Sequence, residues 1–130
     1  AGVGEMLAQL AGSGRRMAIA TNKRLHPTRL ILQHLDWSRY FDAVYALDLF
    51  EPRLPDKAAM IARLLIDRGI AREDAVYVGD RAEDGDSADA NGLPFIAATW
   101  GYGSLEAADI APHWRVAASP AALATLILSA

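Results

Sequence analysis

Thr21-Asn22, Lys57 and the carboxylates Asp80 and Asp84 are the residues whose types and positions suit chemistry on an anion held beside a hard cation. Asp80 and Asp84 lie in Gly79-Asp80-Arg81-Ala82-Glu83-Asp84, a spacing that lets one carboxylate stand at a strand end and the other at the start of the next helix. Two carboxylates converging there suit Mg2+, which takes its remaining ligands from water and phosphate oxygens. Lys57 precedes Ile61 and Leu64 at helical spacing, so its cation falls on the core-facing stripe of a helix and in its first turn, where the macrodipole disfavours positive charge. A bound anion removes that conflict. Thr21 and Asn22 follow a short apolar run and add a hydroxyl and an amide, whereas Asp48, His26, His34 and His113 read as structural.

Each of these features also has an ordinary reading. Thr and Asn after a strand act as caps or turn residues, and a lysine on an apolar stripe snorkels. The acidic run Glu83, Asp84, Asp86 and Asp89 suits a solvated helix start. Their joint order, each following the right element, is what favours a site.

The elements that must position them alternate along the chain. Val3, Met6, Leu7 and Leu10 predict a helix stopped by Gly12-Ser13-Gly14. Apolar runs at 17–20, 43–47, 75–78 and 94–98 predict strands buried in a parallel sheet, with a shorter fifth at 114–117. Between them fall helices at 27–35 (with Ile31 and Leu35 on one face), 56–68 (closed by Gly69) and 84–90 (ending at Gly92), and Ser119-Pro120 caps a last helix with Leu123, Leu126 and Ile127 on its buried side. The architecture is therefore α/β with a mainly parallel sheet, whose ligands sit at the carboxyl ends of the strands.

Size and composition exclude other classes. At 130 residues, 52% hydrophobic and 22% charged, the chain predicts a single domain over 1–130 and not a disordered segment. A formal charge of -3 is too acidic for a nucleic-acid or anionic-membrane footprint. With no Cys, disulfides, thiol nucleophiles and Cys-ligated zinc are excluded. The longest apolar stretch, at 121–128, is too short to span a bilayer, so a soluble, cytoplasmic chain is expected.

The order of these motifs resembles the haloacid dehalogenase-like (HAD) superfamily, in its phosphoglycolate-phosphatase-type branch, over nearly the whole chain. Ala20-Thr21-Asn22-Lys23 is similar to the second family motif, Leu54-Pro55-Asp56-Lys57-Ala58-Ala59-Met60-Ile61 to the third, and Val76-Tyr77-Val78-Gly79-Asp80 through Asp84 and on to Leu93 to the fourth. Thr99-Trp100-Gly101-Tyr102-Gly103-Ser104 resembles a further stretch of that branch. The resemblance implies a Rossmann-like core, with Thr21, Asn22 and Lys57 binding phosphate, Lys57 also catalytic, and Asp80 and Asp84 holding Mg2+. It implies a hydrolase that cleaves a small, phosphoglycolate-like phosphate ester through an aspartyl-phosphate.

One family feature is missing. Members open with an apolar strand ending in Asp-x-Asp-x-Thr or Val, and the only Asp-x-Asp here, Asp84-Gly85-Asp86, belongs to the fourth motif. The chain, which starts at Ala1, thus resembles the carboxyl-terminal part of the catalytic domain, without the cap. The resemblance places the absent strand between those at 17–20 and 75–78, so an N-terminal segment or a partner chain is expected to complete the sheet, and the isolated chain is expected to be inactive. A receiver-type module phosphorylated on Asp48, or a non-catalytic α/β binding module, is the alternative.

Overall fold

The structure, a computed structural model, describes residues 2–100 and 105–129. The backbone divides into two compact units, Ala1–Leu64 and Leu65–Ala130. The WGYGS stretch falls largely outside the described residues, at 101–104.

The first unit opens with helix α1 (Val3–Gly12), which buries Met6, Leu7 and Leu10 as their spacing requires. Strand β1 (Ala18–Thr21), helix α2 (Leu25–His34) and strand β2 (Ala43–Ala46) then form a βαβ unit. β1 and β2 pair in parallel, with Thr21 opposite Ala46. A 3-10 turn at Leu47–Leu49 and a loop lead to helix α3 (Lys57–Arg68). Beyond α1, the buried residues of this unit are Thr28 and Leu32 of α2, Ala43, Tyr45 and Ala46 of β2, Leu47 after it, and Met60, Ile61 and Leu64 of α3. Ile31 and Leu35, grouped by their spacing, lie at the surface, and Thr28 and Leu32 form the buried side of α2 instead.

In the second unit, strands β3 (Tyr77–Gly79), β4 (Phe95–Ala98) and β5 (Arg115–Ala117) pair in parallel in that order. Helix α4 (Ala82–Ala90) connects the first two strands, and α5 (Pro120–Leu128) follows the third. All of β4 is buried, as suits a central strand, whereas β3 at the sheet edge is half-buried. The Ser119 hydroxyl accepts the Ala122 N–H at 3.0 Å and Pro120 fills the first helical position, as the sequence predicted for α5. Leu123 is buried there, and Leu126 and Ile127 are half-buried. The α/β class with parallel pairing is therefore as expected. No helix of the described residues is long and apolar enough to cross a membrane.

Helices α1 to α4 all terminate in the same hydrogen-bond pattern. Arg15, Trp37, Ile70 and Leu93 donate their N–H groups to the carbonyls of Leu10, Leu32, Leu65 and Ala88. The residue before each donor has positive φ: Gly14, Asp36, Gly69 and Gly92. At Asp36 the strain of an L side chain in this region is borne, partly offset by the local polar character of Asp and a 3.2 Å ion pair with Arg39. Gly69→Ala, whose Cβ would meet no atom within 4 Å, isolates the backbone term and is expected to cost about 1 kcal/mol in urea unfolding. Asp36→Gly should change stability far less, and in the favourable direction.

Candidate functional site

In the first unit the candidate residues gather at the carboxyl end of the β1–β2 pair. Thr21 ends β1, and its hydroxyl oxygen accepts the Lys23 N–H at 3.1 Å, a turn that leaves the hydroxyl proton as the group it can offer an acceptor. Asn22 follows, exposed. At the end of β2, the Asp48 carboxylate accepts the Leu25 N–H at 2.9 Å and lies 3.9 Å from the Arg24 guanidinium. Asp48 therefore caps α2 from a neighbouring strand, satisfying an amide of its first turn with a charge that the helix dipole favours. The sequence marks Asp48 as structural without indicating this cap, which engages the carboxylate that a receiver-type reading would phosphorylate.

Lys57 opens α3. Asp56 caps that helix, its Oδ1 accepting the Ala59 N–H at 2.8 Å and its carbonyl the Met60 N–H at 3.2 Å. The Leu54 N–H donates to the Leu47 carbonyl at 3.4 Å, which brings the loop before α3 back to the end of β2. Lys57 thus enters from the same end of the sheet as Thr21. Lys57 is half-buried at the first position of α3, one turn before the buried Ile61 and two turns before the buried Leu64.

In the second unit Asp80 and Asp84 flank the step from β3 into α4. Asp80 is half-buried, and Asp84 is only 4% exposed. Its Oδ2 accepts the Arg81 N–H at 3.2 Å, the return half of a capping box at the third helical position. The fit is tight: a Cβ at Gly79 would stand 2.5 Å from both Cβ and Oδ2 of Asp84. Glycine at the last position of β3 is what lets the carboxylate close on the strand end. Gly79 had appeared in the sequence only as part of a motif, and its signal was a glycine ending an apolar strand.

The field at this strand end is negative. Burial first, and then the carboxylates of Asp84, Glu83 and Asp80, push the Tyr77 phenol far above its ordinary range. A cation would meet hard oxygen donors and favourable charge, so the donor set fits Mg2+. Among the described residues no group of three or more His, Asp or Glu is placed to hold a metal, so Asp80 and Asp84 are a candidate pair, not a full cage.

Residues 1–98 match the sequence pattern of the haloacid dehalogenase-like hydrolases. A phosphoglycolate phosphatase of Xanthomonas campestris is 36% identical over 102 residues, which are 78% of this chain and 45% of that protein. The tyrosine-protein kinase PtkA of Mycobacterium tuberculosis is 33% identical over 108 residues, 83% of this chain and 37% of that one. Among solved structures, a predicted phosphatase from Clostridium acetobutylicum superposes with a TM-score of 0.89 at 31% identity, covering 99% of this chain and 59% of that one. The chain spans less than half the length of the curated relatives it matches.

Two outcomes test this geometry. Gly79→Ala must displace Asp84 and is expected to destabilise the protein by about 2 kcal/mol in denaturant unfolding, an overpacking cost. For Tyr77 the folded state holds its proton more tightly than the unfolded chain, so its contribution to stability is complete below pH 10.0, the ordinary value, and declines as pH rises above it. Alkaline unfolding should therefore be steeper in the wild type than in Tyr77→Phe, and an ultraviolet titration should show a phenol ionising well above the ordinary range that is missing in Tyr77→Phe.

Proposed function

The chain belongs to the haloacid dehalogenase-like hydrolases, and from that premise we propose that it forms part of a Mg2+-dependent phosphatase acting in the cytoplasm on a small, phosphoglycolate-like phosphate ester. The observation that carries this reading is the carboxylate pair at the end of β3, with Asp84 buried against Gly79 and a negative field beside it. The kinship with a phosphoglycolate phosphatase supports the substrate class.

In this reading Thr21 donates its hydroxyl proton and Asn22 its amide N–H to phosphoryl oxygens, and the Lys57 ammonium offsets their charge as the reaction proceeds. Lys57 suits that task because the first turn of α3 disfavours its cation until an anion arrives. Asp80 and Asp84 hold the metal. Mg2+, when bound, neutralises phosphoryl oxygens.

The attacking carboxylate comes from elsewhere. Asp84-Gly85-Asp86, the only Asp-x-Asp, opens α4, and Asp84 faces Gly79 and the Arg81 N–H. We assign the nucleophile and the general acid to an N-terminal segment or a partner chain that adds a strand carrying Asp-x-Asp, forms the aspartyl-phosphate and completes the sheet. β1 and β3 suit such pairing, since each ends its sheet and is less buried than the strand beside it. Neither nucleic acid nor membrane takes part.

Two assays test the proposal. The chain by itself should not turn over an aryl phosphate with Mg2+, and turnover that disappears in Asp48→Asn, which retains an acceptor for the Leu25 N–H, would overturn the reading. In the full-length protein Lys57→Ala and Asp80→Asn should each lower turnover by about 10²-fold or more, while Glu83→Gln has little effect. Release of inorganic phosphate is the expected product. Label transferred to a protein tyrosine would replace hydrolysis with the activity for which the mycobacterial relative is named.

A further inference from the structure

Trp114 holds α4 at two points on one face. Its indole lies over Gly85, where any Cβ would collide with the ring. One helical turn further on, its Nε1–H is shared between the carboxylate oxygens of Asp89, at 3.2 and 3.1 Å. The same indole meets the Phe95 ring of β4 edge to face, with centroids 5.1 Å apart, and it immediately precedes β5, which pairs with β4. Trp114 is 7% exposed. It therefore ties α4 to the middle of the sheet through one packed ring and one charge-assisted hydrogen bond. His113 Nε2, at 2.9 Å from Asp89 Oδ1, adds a second contact to the same carboxylate.

The place of this tie matters. Gly85 adjoins Asp84, and glycine in the interior of a helix costs about 1 kcal/mol relative to alanine. That cost is accepted where the indole must reach the helix backbone beside the buried carboxylate. With a Cβ at position 79 excluded on the other side of Asp84, a small rotation of α4 either presses the carboxylate into β3 or withdraws it from the Arg81 N–H.

We propose that Trp114, with Gly85 and Asp89, is a positioning residue that sets the rotation of α4 and so aims the Asp84 carboxylate at the metal. The proposal rests on the reading of Asp80 and Asp84 as the Mg2+-holding pair. Neither Trp114 nor Asp89 touches substrate or metal in this account.

The test uses two readouts on the full-length protein: amide hydrogen exchange at Arg81, whose N–H reports on the Asp84 carboxylate, and calorimetric titration with Mg2+. Trp114→Phe keeps a ring but no donor, and Gly85→Ala displaces the indole. Both are expected to speed exchange at Arg81 more than at Ala97 in the centre of the sheet and to weaken Mg2+ binding by about tenfold, while Asp89→Asn, which keeps an oxygen for the indole N–H, changes binding by no more than about twofold. Exchange that rises equally at Arg81 and Ala97, or Mg2+ binding unchanged in Gly85→Ala, would overturn the proposal by reducing Trp114 to general packing. If the wild type takes up no Mg2+, the reading of the carboxylate pair fails, and the Arg81 amide alone decides the positioning: selective acceleration sustains it and its absence overturns it.

Discussion

A side chain at position 79 and the Asp84 carboxylate cannot both exist where they are placed, since the nearest approach of a Cβ would be 2.5 Å. The absence of that Cβ lets the first turn of α4 close on the end of β3. It is also what allows a charged group to be 4% exposed without becoming an unpaired buried carboxylate, because the Arg81 N–H lies within reach at 3.2 Å. Asp80, one residue beyond Gly79, follows at the same strand end, and its charge acts with those of Asp84 and Glu83 on the Tyr77 phenol. On the outer side the glycine at 85 repeats the device, admitting an indole in place of a Cβ. Two close approaches, each requiring glycine, thus bracket one carboxylate.

The first unit solves a different problem with the same parts. A βαβ unit leaves the first amides of its helix without intrahelical partners, and Arg24, the residue before α2, makes no side-chain cap. Asp48 supplies the acceptor from the end of the neighbouring strand. This ties the loop after β1 to the loop after β2, which in turn leads to Asp56 and Lys57. The carboxylate least involved in the proposed chemistry is therefore the one that ties together the loops carrying Thr21, Asn22 and Lys57, the candidates for phosphate binding.

Burial along the strands follows the sheet order. Ala18-Ile19-Ala20 and Tyr77-Val78-Gly79 are as apolar as strands that are buried on both faces, yet β1 and β3 are less buried than β2 and β4. Apolar composition says that a strand belongs in an interior, and position in the sheet decides whether this chain by itself provides one.

By itself the sequence determined the alternation of elements, their approximate limits, the glycine stops at 12–14, 69 and 92, and the candidates Thr21, Asn22, Lys57, Asp80 and Asp84 at element ends. These are local properties: periodicity, propensity and capping act within a few residues and can be read along a line. Only the tertiary structure decided that Asp48 caps α2, that Asp36 takes a left-handed stop usually given to glycine, that Ile31 and Leu35 face outward, and that Trp114 spans from Phe95 to Gly85 and Asp89. Apart from the left-handed stop at Asp36, which is local, each of these depends on which groups meet across elements distant in sequence. A hydrogen bond or a ring contact has no signature in the spacing of the residues that make it until the strands are in register and the helices have been laid against them.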